Sequence, residues 1–149
     1  MEKMEAHEKG LLHRAFSVFI FNDKGEMLLQ QRALNKYHSA GLWTNTCCSH
    51  PRPGEKTLEA AKRRLNEEMG MEIHLDFKTS FIYNTNFENG LTENEFDHVF
   101  VGYCNENPKI NSEEVNSFCW KSIKQVKEAI KAEPENYTIW FKIALERVF

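Results

Sequence analysis

Apolar and polar positions change period along this chain, and the changes mark its elements. The segment HRAFSVFIFNDKGEMLLQQR, residues 13–32, holds two apolar runs around Asn22, Asp23, Lys24 and Gly25, residue types that favour a tight turn. The reading is a hairpin of paired strands. In TLEAAKRRLNEEM, residues 57–69, Leu58, Ala61, Leu65 and Met69 recur at helical spacing, charges fill most of the other positions, and Gly70 follows. That spacing predicts an amphipathic helix stopped at the glycine. Alternation returns in FKTSFIYNTNF and NEFDHVFVGYC, with Glu88, Asn89 and Gly90 between them, which predicts a second hairpin. SFCW predicts one more strand. Ile123, Val126 and Ile130 predict a helix, Pro134 breaks it, and Trp140, Ile143, Ala144 and Val148 predict a last helix. No internal repeat or low-complexity linker interrupts the series. Strands, one internal helix, more strands and terminal helices imply an α+β domain, a mixed β-sheet packed between α-helices.

Composition narrows the picture. A chain of 149 residues is long enough for one core, so a single domain over 1–149 is expected. With 41% hydrophobic and 28% charged residues it has the balance of a soluble globular protein, and its net charge of −3 offers no general attraction to nucleic acid or to an anionic membrane. Any phosphate binding must be local. No apolar run approaches the length of a membrane span, and the opening MEKMEAHEKG is charged, so neither a span nor a secretory signal is read and a cytoplasmic location is expected. There the four cysteines, Cys47, Cys48, Cys104 and Cys119, should be reduced.

The chemistry gathers around TNTCCSHPRPGE, residues 44–55. In an extended segment successive side chains point to opposite sides, so Cys47 and Cys48 cannot both face one pocket, whereas Cys48 and His50 can. From Ser49 onward Glu55, Arg63, Arg64, Leu65, Glu67, Glu68, Gly70 and Met71 hold a register that resembles the Nudix box. Two positions depart from it. Ser49 stands where the box has glycine, and Arg64 where it has the first glutamate of a metal-binding helix. A guanidinium cannot hold a cation, but its fork of donors can hold a phosphate oxygen. The altered box is thus suited to gripping a diphosphate without the full metal cluster that would hydrolyse it.

The segments LLHRAFSVFIFN, QQRALNK, LWTNTCCSHP, ENE and WFK together resemble the type I isopentenyl-diphosphate isomerases of the Nudix superfamily, over nearly the whole chain. The resemblance implies a Nudix-like fold. It also implies interconversion of isopentenyl and dimethylallyl diphosphate by protonation at one end of a double bond and deprotonation at the other. Carried over residue by residue, it implies an inner site for Mn²⁺, Zn²⁺ or Fe²⁺ at His7, His13, His50, Glu93 and Glu95. Mg²⁺ on the diphosphate would be held by Glu68, and the diphosphate itself by Lys3, Arg32, Lys36 and Arg64. The catalytic residues implied are Cys48, Glu95, Tyr83 and Trp140. A monomer or weak homodimer with a small-molecule substrate is expected. The resemblance begins almost at residue 1, whereas members of the family carry a further stretch ahead of EKMEAH, so a short start is expected. Taken singly, Glu93, Glu95 and Trp140 would read as a solvated edge and a core aromatic; Cys47, Cys104, Cys119, His38, His74 and His98 keep such ordinary readings. Two other functions stand beside this one: a Nudix hydrolase of nucleoside diphosphates, against which Arg64 argues, and a zinc module on Cys47, Cys48 and His50, against which their spacing argues.

Overall fold

A computed structural model describes residues 13–36, 39–86 and 92–149, with backbone alone for 85–86 and 92–93. Its strands are β1 (His13–Phe21), β2 (Glu26–Arg32), β3 (Trp43–Thr44), β4 (Cys47–Ser49), β5 (Asp76–Asn86), β6 (Thr92–Tyr103) and β7 (Val115–Ser122). Its helices are α1 (Thr57–Met69), α2 (Ile123–Ala132) and α3 (Ile139–Val148), with a 3₁₀ turn at Pro134–Asn136. No described helix is long and apolar enough to cross a membrane.

The sheet is built around β1. It runs parallel to β6 from His13 opposite Glu95 to Phe21 opposite Tyr103, while β4 pairs antiparallel with it through Phe16, Ser17 and Val18. β6 pairs antiparallel with β5, and β2 with β3 and β7, giving a mixed sheet. Both faces of β1 are covered. Phe16, Val18 and Ile20 pack with Ala61, Leu65 and Met69 of α1, while Phe19 and Phe21 pack with Val126 of α2 and Phe141 and Ala144 of α3. A strand buried on both faces reads as a nearly continuous apolar run, which is what AFSVFIF is.

The first hairpin forms as its sequence reading has it, but its ladder is short. β1 and β2 pair at Phe21 and Met27 and then part. Thr46 fills the gap: its hydroxyl accepts from the Ile20 N–H at 3.0 Å and donates to the Leu28 carbonyl at 2.6 Å. One side chain thus satisfies backbone groups that a continuous ladder would have paired. Freed from β1, β2 takes β7 along its whole length.

Helix α1 ends as the sequence predicts. Gly70 adopts a left-handed φ of 62° and donates its N–H to the Asn66 carbonyl. A side chain there would also collide with the backbone, since a Cβ would lie 2.7 Å from the Lys109 carbonyl oxygen. That close segment donates from Lys109 N–H to Met69 O and from Asn111 N–H to Glu68 O, both at 2.9 Å, so it holds the turn that carries Glu68.

Candidate active site

Strand register brings the candidate residues together. In a parallel pair, His13 lies beside Glu95; in the antiparallel pair on the other side of β6, Tyr83 lies opposite Glu95. Ser17 pairs with Cys48 across β1 and β4, and alternation carries the same face from Cys48 to His50 and from Glu95 to Asp97. The result is one cleft, whose walls include Arg32, Cys48, His50, Tyr83, Glu95 and Trp140.

At its inner end the Glu95 carboxylate, 1% exposed, meets two imidazoles: Oε2 lies 3.1 Å from His13 Nε2 and Oε1 2.7 Å from His50 Nε2. The two rings stand 4.6 Å apart between centroids. Ligand atoms of His13, His50 and Glu95 all fall within 4.8 Å of one another, a mixed nitrogen and oxygen set that fits a borderline divalent cation. Two further candidates, His7 and Lys3, lie outside the described residues, as does the side chain of Glu93, whose backbone pairs with Thr85.

Cys47 and Cys48 face opposite sides, as extended backbone requires. Cys47 is fully buried against Phe16, Val18 and α1, and burial, then the Glu68 charge, push its thiol up. That separation rules out a shared ion on Cys47, Cys48 and His50. Cys48 donates to Asn45 Oδ1 at 2.7 Å, with Ser17 Oγ at 3.8 Å and Thr44 Oγ1 at 4.0 Å. Ser17 gives its own proton to Asp97 Oδ2 at 2.8 Å, and Thr44 gives its proton to Asn45 Oδ1 at 3.0 Å. Three side-chain oxygens, those of Ser17, Thr44 and Asn45, thus surround the sulfur. Burial and then the Asp97 charge push its thiol up to about 12, so the resting group is S–H. Burial likewise raises the Asp97 carboxyl to about 7, against the Ser17 hydrogen bond and with help from the Glu95 charge.

On the box side, Glu68 is 5% exposed and accepts from Gln30 Nε2 at 3.0 Å and from Arg64 at 2.6 and 3.1 Å. Gln30 also donates to the Thr46 carbonyl at 2.7 Å, which ties Glu68 to the Cys48 segment. Arg64 turns its remaining donors to Glu67 and Glu114, and Glu114 also pairs with Lys36. Two of the four cations assigned to the diphosphate, Lys36 and Arg64, are therefore neighbours, joined by a carboxylate that sequence reading missed. Burial works against the charge of Glu114, but Lys36 and then Arg64 hold its carboxyl below the usual range. Box residue Glu55 is clamped by Arg63 at 2.9 Å through both carboxylate oxygens, and that pair, followed by the Arg52 N–H, lowers its carboxyl to about 2. Arg32 lies over the Trp140 ring, its guanidinium carbon 5.1 Å from the centroid.

The NUDIX domain family matches residues 11–141. Isopentenyl-diphosphate Delta-isomerase of Pectobacterium atrosepticum is 50% identical over 148 residues, 99% of this chain and 83% of that protein. Isopentenyl-diphosphate Delta-isomerase 2 of Photorhabdus laumondii is 51% identical over 140 residues, 94% of this chain and 79% of that protein. The chain belongs to the isopentenyl-diphosphate Delta-isomerases of the Nudix superfamily. Solved structures agree on the fold. A Deinococcus radiodurans protein superposes with a TM-score of 0.79 at 19% identity, covering 92% of this chain and 83% of that one. The MutT protein of Methanosarcina mazei gives 0.73 at 23% identity, covering 92% of each. Within this isomerase family, Ser17, Gln30, Asn45, Asp97 and Glu114 are the site neighbours of this chain that its motifs did not reveal. The visible signals were slight: a serine inside AFSVFIF, and an aspartate two residues beyond Glu95 in the same alternation.

Proposed function

We infer that this chain interconverts isopentenyl and dimethylallyl diphosphate by moving a double bond, with one proton added and another removed. The observation that carries the reading is the meeting of a thiol, a carboxylate, a phenol and an indole around one cleft, Cys48, Glu95, Tyr83 and Trp140. Such a set can exchange protons with carbon and has no need of a redox group.

His13, His50 and Glu95, with His7 and Glu93, would hold the inner divalent cation, and Glu68 would hold Mg²⁺ on the substrate. When bound, these ions withdraw electron density from the Glu95 carboxyl and neutralise the diphosphate. Protonating an unactivated alkene requires an acid strengthened in this way, because no carbonyl is present to share the charge. Glu95, with Tyr83 beside it, exchanges one proton, and Cys48 exchanges the other. The cation formed between these steps would be tertiary, and water would capture it. Burial of Trp140 and Tyr83, 6% and 7% exposed, supports a dry wall. An indole face stabilises a desolvated cation by about 2 kcal/mol without a lone pair that would trap it. Arg32, Lys36, Arg64 and Lys3 would bind the diphosphate at the mouth; the pairing of Lys36 and Arg64 through Glu114 supports their acting as one patch. A cytosolic setting suits the reduced thiol.

Incubating the purified protein with isopentenyl diphosphate and Mg²⁺ should yield the dimethylallyl isomer, read by proton NMR. Release of phosphate with no allylic product would make the chain a hydrolase instead.

A further inference from the structure

The thiol of Cys48 is held by a side chain that does not itself line the cleft. Asn45 is fully buried, and its amide has a single possible orientation. Nδ2 donates to the Val18 carbonyl at 2.9 Å and to the Cys47 carbonyl at 3.1 Å, so both of its protons are committed to acceptors. Flipping the amide would set an oxygen against two carbonyls. Oδ1 must therefore point to the other side, where it accepts from Thr44 Oγ1 and from Cys48 Sγ.

The chain of bonds continues away from the sulfur. Thr44 Oγ1 accepts from Thr138 Oγ1 at 2.9 Å, and Thr138 is the N-cap of α3, accepting from the Phe141 N–H at 3.3 Å. Its own N–H donates to the Trp43 carbonyl at 3.0 Å. Trp140 is the second residue of that helix. Thr44, Asn45 and Thr138 are all 1% exposed or less, so water does not compete with these bonds. An unbroken buried series thus runs from the helix that carries the indole to the thiol.

We propose that Asn45 is a positioning residue for the isomerisation: its amide oxygen fixes the direction of the Cys48 side chain, and Thr44 and Thr138 lock that direction to the helix bearing Trp140. The inference rests on the reading of Cys48 as a proton-exchanging group. Its physical basis is that a proton moves between sulfur and carbon only over a short, aligned path. A misplacement of about 1 Å can cost on the order of 10²-fold in rate while leaving the substrate's phosphate contacts untouched. Loss of Asn45 should therefore appear in kcat and not in KM.

The test measures kcat and KM for isopentenyl diphosphate with Mg²⁺ in Asn45→Ala, Thr44→Val, Thr44→Ser and Cys48→Ala, with thermal melting as a folding control. Expected are a fall in kcat of roughly tenfold or more in Asn45→Ala with KM within about twofold, a smaller fall of the same kind in Thr44→Val, and recovery of most of it in Thr44→Ser, which keeps the hydroxyl. A folded Asn45→Ala with unchanged kcat, or a loss carried by KM, overturns the positioning role while an inactive Cys48→Ala leaves the thiol's role standing. A fully active Cys48→Ala overturns the thiol's role and this inference with it. Should Asn45→Ala fail to fold, the Thr44 pair decides: equal activity in Thr44→Val and Thr44→Ser counts against the proposal, and the valine-specific loss of kcat supports it.

Discussion

At the scale of the residue, the adjacent cysteines show how one position of register separates packing from chemistry. Cys47 fills space beneath α1, and Cys48 lines the cleft. Cys48→Ala removes a proton carrier, so kcat should fall by about 10²-fold to 10⁴-fold with little change in folding. Cys47→Ala should keep most of the activity and lose about 1–3 kcal/mol of stability, because a small cavity opens in a packed core. Activity assays beside circular dichroism separate the two; a folded, active Cys48→Ala next to a folded, dead Cys47→Ala would reverse the assignment. The metal candidates divide in a similar way. His50→Ala takes a donor from the set around Glu95 and should lower the content of tightly bound transition metal by elemental analysis, whereas Glu68→Gln, some distance along the box, should leave that content alone and raise the Mg²⁺ needed for half-maximal activity. Equal inner metal in the His50 variant and the parent would refute the inner-site reading. Cys48, both imidazoles and Glu95 were legible in sequence as candidates, because they sit in the segments that carry the family resemblance, and the structure brings them together. Asn45 and Ser17 were not, because a buried asparagine or serine looks the same on paper whether it holds a catalytic group or merely satisfies a carbonyl.

At the scale of the element, periodicity told most about structure that forms locally. The 3.6-residue spacing in residues 57–69, with Gly70 behind it, corresponds to α1 residue for residue, and the alternating segments around residue 90 do pair as β5 and β6. What escaped was long-range pairing. The parallel alignment of β1 with β6 and the full antiparallel alignment of β2 with β7 join segments some 80 or more positions apart in the chain, and no local signal specifies them. The turn at residues 22–25 and the pairing of the strands it joins were legible, but their early parting was not, because the wedge that opens them comes from Thr46 on a different segment. Thr46→Val tests that wedge. The change keeps the shape and removes the hydroxyl, leaving the Ile20 N–H and Leu28 carbonyl buried without their partner. It should cost about 1–3 kcal/mol in urea denaturation. Since Thr46 also lies between Asn45 and Cys47 and offers its carbonyl to Gln30, the same variant should lose activity in proportion to how far the strand shifts. An unchanged unfolding midpoint would show that the two strands are held apart by other means.

At the scale of the whole molecule, the sheet buries acidic groups between its two cores, and the pH dependence of stability should reveal them. Asp97 is 2% exposed, and its carboxyl titrates at about 7 when folded, burial being the largest cause. In the unfolded chain an aspartate titrates near 3.9 (an approximate reference value). Between those two values the folded protein binds more protons than the unfolded one, so stability falls as pH rises. The contribution is complete below about pH 4 and is lost as pH rises through about 7. The separation corresponds to about 4 kcal/mol at most. Asp97→Asn removes the titrating group while an amide oxygen can still accept from Ser17. Urea unfolding near pH 5 and near pH 8, with a chelator present so that no cation at Glu95 contributes, should therefore show the parent protein losing stability across the interval and the variant losing less. Both proteins carry His13 and His50, so histidine titration largely cancels in the difference. Parallel profiles for the two proteins would mean that the Asp97 carboxyl is already ionised at pH 5. Ser17 would then be donating to a buried charge, and the oxygen ring around the Cys48 sulfur would be more negative than its geometry alone suggests.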